Sequence, residues 1–326
     1  MIAPRANPLL LGQNRAIAEL HRTASGPRLH HAWLIAGPPG IGKATLAYRF
    51  ARWLLAGATT PDLSLAPTDP VFRRVAVASH ADLLVIERRY DEKKKRMQGE
   101  IVVETVAQAG KFLRLTPGEG GWRVVIVDGA EALNRNAANA LLKLLEEPPP
   151  RAIWLLISHA PGRLLPTIRS RTRQLDAAPL DPATLETLLA TAQPDLTAAQ
   201  RTRLATLSEG SIGRALSLAG TDGLALASLA EEALTTAIPP TRAAAIADQV
   251  ARAEDGFTTF LDLLRTALAT TTRAQARMTA RTAPAPSLDR QAALWQEFGQ
   301  LEAEVEGLNL DPRAAILTLL HRLRPA

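Results

Sequence analysis

The chain has 326 residues, 47% hydrophobic and 21% charged, a length that predicts two or three domains, each able to bury a core. With 38 Lys and Arg against 32 Asp and Glu the formal charge is +6, which permits contact with nucleic acid without requiring it. The absence of cysteine excludes disulfides and cysteine-ligated zinc, and no apolar run is long enough to span a membrane, so a soluble, cytoplasmic protein is expected.

Asn7 to Ser25 carries Leu-Leu-Leu-Gly-Gln and then a predicted amphipathic helix, Asn14 to Thr23, ending near Gly26-Pro27. Leu10 and Leu11 fit either a cap over a nucleotide base or simple packing on a sheet edge. The stretch from His31 to Ala56 is the most informative. An apolar run, Ala32 to Ala36, enters a glycine-rich turn and then a helical pattern, the strand-loop-helix of a P-loop. Its turn reads Gly37-Pro38-Pro39-Gly40-Ile41-Gly42-Lys43. Glycines let the backbone curl until several N–H groups and a helix N-terminus face one anion, and Lys43 adds a charge for the outer phosphates. The motif expects a hydroxyl after the lysine to hold Mg²⁺; here Ala44 stands there, with Thr45 one place late. ATP or ADP is therefore expected to fit, while magnesium coordination is in doubt.

Residues Gly57 to Ser79 hold three prolines and little periodicity, which predicts an irregular excursion. His80 to Glu87 resumes as a buried strand. Arg88 to Arg96, RRYDEKKKR, reads as a solvated hairpin or loop, with DNA contact as the alternative. Glu100 to Leu115 is a strand start followed by a helix. Trp122 to Asp128 is a strand of β-branched residues delivering a carboxylate, where a doubly wound sheet places its metal-associated acid; a helix cap is the competing role for Asp128. Hydrolytic P-loop enzymes follow that acid with a glutamate that orients water, a task Gly129 cannot do, and Glu131 lies about one helical turn away.

A helix from Asn134 to Glu147 is stopped by Pro148-Pro149-Pro150, and Ala152 to Ser158 is a further buried strand ending in a hydroxyl. Pro166 to Arg173 is a short basic segment before a last strand, Gln174 to Asp176. This alternation specifies an α/β parallel sheet. From Asp181 the pattern is helical: Pro182 to Ala192, Thr197 to Ser208 and Ser211 to Ala219, then longer pieces at Leu224 to Thr236, Thr241 to Thr272, Leu288 to Leu308 and Asp311 to Arg324. The loop Thr282 to Ser287 punctuates them. The expected division is an α/β P-loop domain over 1–176, a helical lid over 177–222 and a helical collar over 223–326.

The run VVIVDGAEALNRNAANALLKLLEEPP resembles the bacterial DNA polymerase III clamp-loader subunits of the AAA+ superfamily. Arg28-Leu29-His30-His31-Ala32 and Thr167-Ile168-Arg169-Ser170-Arg171 add to the resemblance, with Thr172 where the family's Ser-Arg-Cys signature has cysteine. It implies a hetero-oligomeric ring with gamma/tau and delta subunits that loads a sliding clamp onto primed DNA during replication. Within the family an ATP-hydrolysing gamma/tau kind competes with a delta-prime kind that acts as a stator. Ala44 and Gly129 both fall on chemistry that hydrolysis needs, which favours the stator, with its own ATPase absent or weak. Arg171 matches the family's arginine finger, acting in trans on a neighbour's ATP. Ser158 matches the sensor-1 position that ends its strand and Arg214 the sensor-2 position facing the nucleotide, with a helix-surface or capping role as the alternative for either. The family's four-cysteine zinc module is absent, so 57–79 is expected to be held by packing alone. A gamma/tau-like motor, another AAA+ DNA-processing motor and a stand-alone DNA-binding module are the rival readings.

Overall fold

The computed structural model describes residues 2–26, 29–92, 95–119, 121–279, 288–308 and 310–323. Arg28, Lys93, Lys94 and the 282–287 loop, all singled out in the sequence, lie outside the described residues. The chain divides into two compact units: Met1–Ala192 with Glu209–Gly213, and Gln193–Ser208 with Arg214–Ala326.

The first unit is built on five parallel strands: β1 (Ala32–Ala36), β2 (Leu83–Ile86), β5 (Arg123–Asp128), β6 (Ala152–Ser158) and β7 (Arg173–Asp176), in the order β2-β5-β6-β1-β7. Both faces are covered by helices, so β1 and β6 are buried along their whole length and read as continuous apolar runs in the sequence. On one face α1 (Asn14–Ala24) and α2 (Lys43–Leu55) pack with Trp33, Ile35, Ile153 and Leu155. On the other, α4 (Val103–Arg114) and α5 (Arg135–Glu146) pack with Leu34, Val125, Trp154 and Leu156. The same alternation along a strand thus feeds two cores.

The stretch after α2 is more ordered than its prolines predict. Asp69 caps a helix, α3 (Pro70–Ala76), by accepting from Val71 N, and Pro70 occupies its first turn, where a missing N–H costs nothing. Packing is not its sole support. Arg49 Nη2 holds Asp62 Oδ2 at 3.0 Å, Trp53 Nε1 donates to Thr60 O at 3.0 Å, and Leu63 is buried in the core. Arg52, fully buried in α2, donates to Arg5 O and Asn7 O at 2.9 Å and lies over the Phe72 ring. Burial and the neighbouring Arg49 push this guanidinium down to about 10. Among the described residues of the charge run and just after it, β3 (Tyr90–Asp91) pairs antiparallel with β4 (Arg96–Met97).

A one-turn helix, α6 (Pro166–Arg169), precedes β7, and α7 (Pro182–Ala192) follows it. The second unit is helical among its described residues. It contains α8 (Ala198–Leu207), most of α9 (Ile212–Gly220), α10 (Gly223–Thr235), α11 (Pro240–Arg252), α12 (Gly256–Thr279), α13 (Leu288–Leu308) and α14 (Pro312–Arg322). Leu226, Ile246, Phe260, Leu264 and Ile316 lie in its interior. The single helix expected from Thr241 to Thr272 is two. Asp255 takes φ 49°, and a Cβ on Gly256 would collide with the Val250 carbonyl, so the chain breaks between Arg252 and Gly256. Among the described residues no helix is long and apolar enough to cross a membrane.

Candidate functional site

Register places the sequence motifs along one edge of the sheet. β1 pairs with β6 so that Ala36 lies beside Ser158, and β5 pairs with β6 so that Asp128 lies beside Ile157. All three strands run parallel, so Asp128, Ser158 and the turn after Ala36 emerge at the carboxyl ends, where open α/β sheets place their ligands.

The turn itself is held tightly. Gly37, Gly40 and Gly42 all have positive φ, at 146°, 72° and 98°. A Cβ on Gly40 would collide with Ser211 Oγ and approach the Gly213 Cα to 3.1 Å, while Gly213 N donates to Gly40 O at 2.9 Å. Gln13, 2% exposed, pins the other side by donating to Ile41 O at 3.0 Å and Ala178 O at 2.8 Å. Nothing in the sequence marked Gln13, because its partners are backbone atoms supplied by distant segments.

Lys43 opens α2 and is 3% exposed. Its ammonium donates to the carbonyl oxygens of Gly37, at 2.7 Å, and Pro38. Burial pushes Lys43 down to about 8, partly offset by the carboxylates of Glu131 and Asp128. Asp128 moves the other way: burial raises its carboxyl above the usual range. Pro38 and Pro39 are exposed, whereas Ile41 and Thr45 are buried. Leu10 packs against the core cluster that contains Ile41.

Glu131 reaches the site. Its Oε1 accepts from His159 N at 3.2 Å. Burial would raise its carboxyl, but hydrogen bonds from its own amide, the Ser158 hydroxyl and the His159 amide hold it below the usual range. Its contacts are with the end of β6, so it braces the strand that carries Ser158, which is fully buried. Asp128, Glu131 and His159 line a cleft of about 570 Å³ with Glu87, Arg88 and Glu100. His159 escaped the sequence reading; its position directly after Ser158 was the available signal.

The donor set does not fit a magnesium ion of the usual P-loop kind. Ala44 brings a methyl group packed on the core in place of the hydroxyl that would coordinate the ion.

Two further arginines were singled out in the sequence. Arg171, just beyond α6, donates from Nη1 to Thr167 O at 3.1 Å and from Nη2 to Glu146 Oε1 at 2.7 Å, with 37% of its side chain exposed. Arg214, in the second unit, pairs with Asp262 Oδ2 at 2.8 Å and donates to Thr266 Oγ1 at 2.5 Å.

Comparison with known proteins gives this geometry a family. The chain is 44% identical to DNA polymerase III subunit delta' of Pseudomonas aeruginosa over 184 residues, covering 56% of this chain and 53% of that protein. It is 37% identical over 164 residues to the Yersinia pestis protein of the same name, covering 50% and 45%. A gamma/tau subunit of DNA polymerase III from Mycobacterium tuberculosis is 31% identical over 193 residues, covering 56% and 30%. The chain therefore spans about half the length of the delta' relatives it matches. The model of the family described as DNA polymerase III, delta subunit, matches residues 12–181, more than half of the chain, and the protein belongs to that family.

Proposed function

We propose that the chain is a delta-prime-type subunit of the DNA polymerase III clamp loader. In this reading it braces a hetero-oligomeric ring with gamma/tau and delta subunits, and the ring uses ATP to load a sliding clamp onto primed DNA. The observation that carries the reading is the condition of the hydrolytic centre. Ala44 has no hydroxyl for a metal, Gly129 has no carboxylate for a water, and Glu131 is engaged with Ser158 and His159. A motor needs these functions; a stator does not. The P-loop from Gly37 to Thr45, with Asp128 and Ser158, is then a site for ATP or ADP retained for binding or architecture. Arg214, at the sensor-2 position, would have to exchange Asp262 for a phosphate to join it.

Arg171 is the group assigned to catalysis, in trans. A guanidinium delivered to a neighbour's ATP offsets charge on the transferring phosphoryl group. Its half-exposed position supports that assignment. The three-part division into P-loop domain, lid and collar belongs to the same reading, the collar joining the ring.

The test is reconstitution. The chain alone should show no robust DNA-stimulated ATPase, and its addition to gamma/tau and delta subunits should assemble the ring and raise hydrolysis. Vigorous hydrolysis by the purified chain would overturn the stator reading in favour of a gamma/tau-like motor.

A further inference from the structure

Glu146 is oddly placed for a stability role. It is the last residue of α5, where the helix presents unpaired carbonyls and its negative dipole end, so a carboxylate there is electrostatically disfavoured. Its Oε1 nevertheless lies 2.7 Å from Arg171 Nη2, while Arg171 Nη1 donates to the Thr167 carbonyl of α6 at 3.1 Å. Two acceptors from two separate helices therefore converge on one planar guanidinium, and beyond these two contacts among the described residues it has further N–H donors to offer a ligand. Both side chains are partly exposed, 37% for Arg171 and 48% for Glu146, so the pair faces solvent rather than the core.

We propose that Glu146 is a positioning residue for Arg171, holding the guanidinium in one orientation before it meets the neighbouring subunit's phosphates. The inference rests on Arg171 acting in trans. An unheld arginine gives up rotamer freedom on reaching a phosphate, whereas one fixed at both Nη atoms gives up less and arrives oriented. Glu146 also falls in the run that carries the family resemblance, yet its contact with Arg171 is legible only in three dimensions.

The experiment uses a reconstituted assembly in which only the ATP site facing this chain is competent, the others being silenced at their P-loop lysines. Glu146→Ala is expected to lower kcat about tenfold with KM for ATP unchanged, on the scale of a lost orientation. Glu146→Gln still accepts a hydrogen bond from Nη2 and should stay within about threefold of the parent. With Arg171→Ala already present, Glu146→Ala should change nothing further. A further loss in that background would mark Glu146 as merely structural and overturn the inference. Normal hydrolysis by the Arg171→Ala assembly would remove the finger and this inference together. A slow Arg171→Ala assembly beside a normal or faster Glu146→Ala one would remove only the positioning role.

Discussion

Lys43 and Arg171 are two cations of one α/β unit held in opposite ways. Lys43 is buried, and its ammonium is turned back onto carbonyls of its own loop. Arg171 is more than a third exposed and is held at the surface by a carboxylate and a helix-end carbonyl. A buried cation satisfied by backbone is costly to redirect, because a carbonyl left without its donor loses a hydrogen bond inside the protein. An exposed ion pair contributes only about 0–1 kcal/mol, and a guanidinium held this way still turns N–H donors toward solvent, where a phosphate can reach them. The contrast teaches that the P-loop signature alone does not say which cation is available for catalysis.

Four measurements would break or sharpen that contrast. The largest effect is expected from Arg171→Ala. The neighbour's ATP site should slow by about 10³-fold or more, seen as loss of that site's share of turnover in the assembled loader. The chain should melt as before, since the lost pair is exposed. An unchanged assembled rate would leave Arg171 as a surface ion pair.

Gly40→Ala should come next. Its backbone has φ +72°, and the added Cβ would meet Ser211 and the Gly213 backbone. Left-handed strain and the collision together are expected to cost about 2 kcal/mol or more in chemical denaturation. An undisturbed protein would show that Gly213 does not hold the turn as closely as its hydrogen bond implies.

A third measurement follows from the depressed value of Lys43, about 8 against an ordinary 10.5. Below pH 8 the ammonium is charged with or without a ligand, so nucleotide affinity should be flat. Above it the ligand-free site loses its proton, a bound phosphate restores it, and binding must take up a proton. Affinity should therefore fall by up to about tenfold per pH unit as pH rises through that value. For folding the sign is the reverse: the cost of burying the charge is fully present below pH 8 and is relieved as pH rises toward 10.5. A fluorescent-nucleotide titration with no change across pH 8 would place the phosphates away from Lys43.

The smallest effect is predicted for Lys43→Ala in the assembled ring, where ATP turnover should stay within about twofold of the parent. A collapse of the assembled rate with the ring intact would make the P-loop, rather than Arg171, the working cation.

The α/β unit was legible to different depths. β1, β5 and β6 stood out because parallel strands buried on both faces are unbroken apolar runs. The helix hidden in 57–79 did not, because α3 is only seven residues long and its cap, Asp69-Pro70, lies among the prolines that signalled a loop. The break between α11 and α12 was missed for a related reason: alanine and leucine periodicity continues across it, and the Asp255-Gly256 turn signal was the clue. In the site, the glycines, Lys43, Asp128 and Ser158 were readable because a local motif or a strand end fixes each of them. Glu131 was readable only as a residue at a distance, and Gln13 and Glu146 not at all.

By itself the sequence determined the strand-loop-helix, the absence of a hydroxyl at Ala44 and of a carboxylate at Gly129, and the Ser170-Arg171 pair, since these are matters of residue identity at local spacing. Only the tertiary structure decided where the polar groups point. The β5–β6 register brings Glu131 to Ser158 and His159, the Gly37–Pro38 carbonyls take Lys43, and the end of α5 meets Arg171. Those partners are joined by sheet order, helix packing and the path of the chain, so no local pattern in the sequence could have named all of them.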